Sequence, residues 1–173
     1  MQKLISFLSV AIFATILFTA CEPKEPSGNT PTTDEGVVIN GVKWATRNVG
    51  STGTFVTNPE DYGNFYAWED AKTACPSGWR LPTKSECESL INSGGTMTIK
   101  NGKEGHKFGD VFLPAAGCFV YLHDELFEVG VRGFYWSSTA ESNEYAYYLY
   151  FDAGSELQSS YKFDGQSVRC VKN

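Results

Sequence analysis

The side chains with the most reactive chemistry are five cysteines, at positions 21, 75, 87, 118 and 170, and two histidines, at 106 and 123. A cysteine is a nucleophile only as the thiolate, with a base at hand. Cys118 and His123 are the pair close enough in sequence to suggest such a couple. Against it stands the even number of cysteines after Cys21. In an exported chain that number argues for two disulfides, in one of three connectivities between which sequence does not choose. Buried free thiols are the alternative for Cys87 and Cys118. No serine sits in a nucleophile elbow, and neither HExxH nor GxxxxGK[ST] occurs. We therefore expect no catalytic residue, no enzymatic activity and no cofactor.

Cys21 has a different chemistry in prospect. Lys3 supplies a positive start, and Leu4 to Thr19 is apolar and uncharged. The stretch is short for a membrane span, which needs about 20 apolar residues, and it has the pattern of a secretory signal. Phe18-Thr19-Ala20-Cys21 resembles a bacterial lipobox, with Phe18 where leucine is more usual. We read 1–20 as a signal peptide and Cys21 as the lipidated first residue of the mature chain, anchored in a membrane. Residues 21–36, with three prolines and no large apolar side chain, read as a disordered tether. The fifteen residues after Cys21 would reach about 20 Å on average and about 50 Å at full extension. Glu22 and Glu25 resemble the acidic export signal of surface lipoproteins in Bacteroidetes. The expected location is the outer membrane, with the head exposed at the cell surface.

Beyond residue 20 the chain has 13 basic and 20 acidic residues, a net charge of −7. That balance argues against binding nucleic acid through its phosphates. Residues 37–173 suit one domain with one core. Asn40-Gly41, between Val37-Val38-Ile39 and Val42-Lys43-Trp44, predicts a two-residue hairpin. Asn101-Gly102 predicts a second, read as an exposed excursion from its lysines and glycines, with His106 on it. A short helix is expected within 65–74. A second should start at Thr83, with Glu86 completing a capping box and Cys87, Leu90 and Ile91 as its apolar stripe. Short strands are expected over 111–113, 117–122, 126–131, 133–136, 145–151, 156–161 and 167–171. Two helices followed by many strands indicate an α+β domain with antiparallel sheets.

Several segments, taken in order, are specific: NGVKWATRNVG (40–50), YGNFYAWEDA (62–71), CPSGWRLPT (75–83), FLPAAG (112–117), GFYWSST (133–139) and SVRCVKN (167–173). Together they resemble the Fibrobacter succinogenes major paralogous domain, over nearly all of 37–173. The resemblance implies a C-type-lectin-like fold, with two short helices, twisted antiparallel sheets, long loops and terminal strands close together. It also implies that Cys75 and Cys170 form the fold's long-range bridge. Cys87 and Cys118 then suggest an extra bridge from the second helix to the strand after FLPAAG. The formylglycine-generating enzymes use a related fold, but their reactive cysteine pair is not recognisable here. The lectin tripeptides EPN, QPD and WND are absent, and Ser137-Ser138 after Trp136 are poor ligands for Ca²⁺, which wants six to eight hard oxygens. No metal site is expected.

What remains is binding without a metal. Trp44, Trp68, Trp79 and Trp136 read as core. Arg80 reads either as a donor to loop carbonyls or as a solvated charge. Tyrosines crowd the C-terminal half, at 121, 145, 147, 148 and 150. Strand alternation separates Tyr145 and Tyr147 from Tyr148 and Tyr150, so one set is free to face outward. Tyr145 and Tyr147, beside Glu141, Asn143 and Glu144, make a candidate surface for a glycan or protein ligand. The competing reading places the tyrosines on both faces of a covered sheet. The expectation is a surface-tethered, non-catalytic recognition or adhesion module; the alternative is a structural or assembly component of a cell-envelope complex.

Overall fold

The computed structural model describes residues 33–173. The signal-peptide and lipidation readings at 1–20 and Cys21 lie outside the described residues, as does most of the tether. Its end does not behave as tether. The Asp34 carboxylate is buried, accepting from the backbone and hydroxyl of Thr46, from Gly36 N–H and from Arg47 Nε at 3.2 Å. Burial pushes this carboxyl up, and the hydrogen bonds outweigh it, so it stays below the usual carboxylate range. The fold therefore starts by residue 34, ahead of the expected boundary at 37.

The hairpin of β1 (Val37–Ile39) and β2 (Val42–Asn48) turns at Asn40 (φ 49°) and Gly41 (φ 82°). Both residues take the left-handed conformation that a two-residue turn requires. β2 then pairs with the last strand, β12 (Arg169–Lys172), which also pairs with β3 (Trp79–Arg80). This gives an antiparallel sheet in the order β1-β2-β12-β3.

Two short helices follow the expected places. α1 is Trp68–Ala74, and α2 is Lys84–Asn92. Thr83 and Glu86 form the full capping box of α2. Arg80 grips the same Glu86 with two bonds, at 2.8 and 2.6 Å, and donates to Leu81 O at 3.3 Å. That guanidinium is the main cause holding the Glu86 carboxyl down at about 2. Arg80 is thus a brace between β3 and α2.

β4 (Gly95–Lys100), β5 (Lys103–Phe108) and β6 (Val111–Pro114) form a meander around Asn101-Gly102. The sequence suggested an exposed excursion, and the structure corrects this. β5 lies between β4 and β6, so alternate side chains face inward: His106 is 1% exposed and Phe108 is fully buried. β7 (Cys118–Val120) and β8 (Glu125–Phe127) make a small hairpin.

The spine is the three-stranded sheet of β9 (Gly133–Ala140), β10 (Tyr145–Phe151) and β11 (Ser155–Tyr161), in the order β11-β10-β9. Both of its faces are covered. Phe134, Trp136, Ala146 and Tyr148 pack with α1, Trp79 and Cys118. Tyr135, Leu149 and Phe151 pack with α2, Phe108, Leu113 and Trp44. The architecture is α+β with antiparallel sheets, and all four tryptophans are core, none more than 9% exposed.

Arg169 lies at the heart of the terminal sheet. Its fully buried guanidinium donates to Asn48 Oδ1 (2.9 Å), Ala45 O (3.0 Å) and Phe112 O (2.9 Å). Burial lowers its pKa to about 10, which leaves it charged at neutral pH. Asn48 in turn donates to the Tyr135 hydroxyl (3.2 Å), which donates to Pro114 O (2.6 Å). One polar network thus stitches β2, β6, β9 and β12 together.

Candidate functional site

The cysteines divide as the resemblance implied for one pair and not for the other. Cys75 and Cys170 are joined, with Cα atoms 6.0 Å apart. Cys87 and Cys118 are not: both are free and buried. The reason is the spine sheet. Cys87 on α2 packs with Leu149 and Phe151 on one face, and Cys118 packs with Trp136 and Tyr148 on the other. Burial pushes the Cys118 thiol up to about 12 and the Cys87 thiol higher still, so both stay protonated at neutral pH.

The histidines also part company. His123 is exposed in the β7–β8 turn. His106 is buried, stacked on Phe151 (centroids 5.2 Å) and edge-on to Phe108 (4.9 Å), and neither ring nitrogen has a hydrogen-bond partner among the described residues. Burial lowers its pKa, partly opposed by Asp152. Among the described residues no three histidine, cysteine or acidic side chains are grouped to hold a metal ion.

The expected binding residues fall at the turn between β9 and β10. Glu141, Asn143 and Glu144 are exposed there. Ser142 Oγ accepts from the N–H groups of Glu144 and Tyr145, and Lys162 Nζ donates to Ser142 O and Asn143 O, so the turn is fixed. Tyr145 is 42% exposed. Tyr147 is drawn away: Lys84 Nζ of α2 sits 4.1 Å from its ring centroid, and the ring is half-buried.

Tyr145 keeps different company. It is the direct cross-strand partner of Tyr161, and the two rings meet at 6.0 Å. Tyr161 contacts Phe163 at 5.1 Å, and Phe163 contacts Tyr121 at 5.4 Å. The result is a continuous row, Tyr145–Tyr161–Phe163–Tyr121, in which Phe163 is 56% and Tyr121 54% exposed. Leu122, Leu126 and Phe127 of the β7–β8 hairpin are exposed as well. Beneath Phe163 is a concavity of about 500 Å³ lined by Phe65, Ala67, Phe119 and Gly165. Sequence reasoning missed Tyr161 and Phe163. The signal was there, in Tyr161-Lys162-Phe163 at the end of the strand that pairs with Tyr145.

The class of molecule is therefore a small α+β domain with a disulfide-tied terminal sheet and an exposed aromatic row. Residues 39–172 match the family model of the Lcl C-terminal domain, and the chain belongs to that family. No curated protein and no solved structure matches it.

Proposed function

We propose that this chain is a surface-tethered, non-catalytic recognition or adhesion module that binds a glycan or protein ligand without a metal. In this reading lipid on Cys21 holds it at the outer membrane with the head facing outward. The fold is read as C-type-lectin-like and the sequence as kin to the Fibrobacter succinogenes major paralogous domain. Support comes from the paired terminal strands, the two short helices and the Cys75–Cys170 bridge. The non-catalytic part is supported by the protonated state of both free thiols.

One observation carries the reading. Ten large apolar side chains are exposed among the described residues; six of them lie within 121–131, and Tyr145 and Phe163 join them through ring contacts. Folding alone gives no reason to gather apolar surface in one place, whereas a contact surface requires it. The test is binding of the chain to a glycan and host-matrix array, with calcium and again with chelator, repeated with Phe163→Ala. Hits that survive chelation and weaken in the variant support the reading. Hits lost on chelation refute its metal independence. A folded sample with no hits transfers the weight to envelope assembly.

A further inference from the structure

The apolar surface includes an open strand edge whose direction can be worked out. Phe119 N–H donates to Gly165 O (2.7 Å), and Gly165 N–H to Phe119 O (2.9 Å). In an antiparallel pair, residues directly opposite point their backbone groups either at each other or away from each other. Phe119 is opposite Leu126 and points away from it. The N–H and C=O of Leu126 therefore point to the outer side of β8, where no described strand pairs. The Leu126 side chain is 59% exposed. This outward pair, bounded by Asp124 (φ 51°) and Glu128 (φ 56°), is a short template on which an added strand can start.

Charge and ring geometry narrow the occupant. Residues 121–131, 141–145 and 161–164 carry six carboxylates and one lysine, and of the carboxylates Glu128 is paired with Arg132 at 3.0 Å. That Lys162 is engaged by Ser142 O, Asn143 O and the ring of Trp68. The surface is apolar with an acidic rim. Successive rings of the row stand at 62°, 45° and 33° to one another, so they do not form the flat platform that sugar rings stack on. Leu122 and Leu126 offer no ring face at all. These features fit a polypeptide better than a glycan.

We infer that the β8 edge and the aromatic row dock an extended segment of another protein, one alternating basic and apolar residues, which adds to β8 as a strand. The inference rests on the recognition reading above and names its partner class. The probe is a fluorescent peptide of about nine residues alternating lysine and valine, long enough to span one edge strand, titrated by anisotropy against the full chain. Saturable binding is expected, weakening as salt rises. Leu126→Pro removes the outward N–H while the β7 bonds through Glu125 and Phe127 remain, and Leu126→Val keeps that N–H. Leu126→Pro and Phe163→Ala should each weaken binding about tenfold or more, as should N-methylation of alternate peptide residues, whereas Leu126→Val should not. Both positions are exposed, and urea unfolding checks that each variant is folded.

The inference is overturned if the peptide does not bind saturably, if its glutamate counterpart binds as well, or if binding ignores both substitutions. Array glycans, or neutral phosphatidylcholine vesicles, captured in a Phe163-dependent way would also overturn it. A glycan captured so would leave the recognition reading standing. No capture of any array member would remove that reading itself.

Discussion

Replacing Arg169 should cost this protein a large part of its stability. The side chain is 1% exposed, and its three bonds go to Asn48 Oδ1, Ala45 O and Phe112 O. Among the described residues no carboxylate pairs with it, and three neutral acceptors solvate the charge. Arg169→Ala removes the donors and leaves those acceptors in a dry interior. An orphaned buried acceptor costs roughly 1–3 kcal/mol. The substitution also relieves the cost of burying the guanidinium, and it leaves a cavity the size of a large side chain, so the net loss is about 3–5 kcal/mol. Arg169→Met restores volume but no donor and should lose about 2–4 kcal/mol, since the orphaned acceptors remain. Arg169→Lys keeps the charge, but a single ammonium cannot span the fork, and about 1–3 kcal/mol should be lost. Total stabilities of about 5–15 kcal/mol make each step readable. The assay is urea unfolding followed by the fluorescence of the four buried tryptophans, with the disulfide intact. A loss below about 1 kcal/mol for Arg169→Ala would refute the reasoning, because it would mean that the network contributes nothing net.

Three further outcomes are expected. Replacing Cys75 and Cys170 together with serine opens a loop of 95 residues, which should lower stability by about 4–5 kcal/mol and shift the urea midpoint accordingly. Apart from Cys21, Ellman's reagent should find two thiols after denaturation without reductant and almost none in the native protein; a Cys87–Cys118 cross-linked peptide in a digest would contradict this. Stability should fall with acid in two windows. His106 has its folded pKa lowered by burial, so the folded state binds fewer protons, and stability present above about pH 6.5 declines as pH drops toward the lower folded value. Glu86, held at about 2 by Arg80, adds stability that is lost as pH falls from its ordinary 4.5 toward 2. Urea titrations of His106→Phe and Glu86→Gln should each flatten their own window.

Much of the fold could be read from local chemistry. Asn40-Gly41 and Asn101-Gly102 specify their turns because only a few residues tolerate two positive φ angles in succession. Thr83 and Glu86 specify a helix start because orphan N–H groups need acceptors. What could not be read depended on neighbours far along the chain. The β4–β5 hairpin looks polar, yet one face of β5 packs on Phe151 of the spine sheet, which buries His106 and Phe108. Cys87 and Cys118 suggested a bridge until the spine sheet was placed between them. Tyr161 and Phe163 gain their meaning from a register that sets Tyr161 opposite Tyr145. Asp34 looked like tether because its partners, Thr46 and Arg47, lie 12 and 13 residues further along the chain.

The pairing of β2 with β12 also sets an order of events. Asn48 and Arg169 meet across 121 residues. Contacts this distant in sequence form slowly, and while a chain is being made they cannot form until Arg169 has emerged. Arg169, Cys170 and Val171 emerge after every other described element, and they bring the central cation, the second half of the disulfide and the strand between β2 and β3. Until then the terminal sheet lacks its middle. A chain that stops short of Arg169 therefore lacks the strand that closes the terminal sheet.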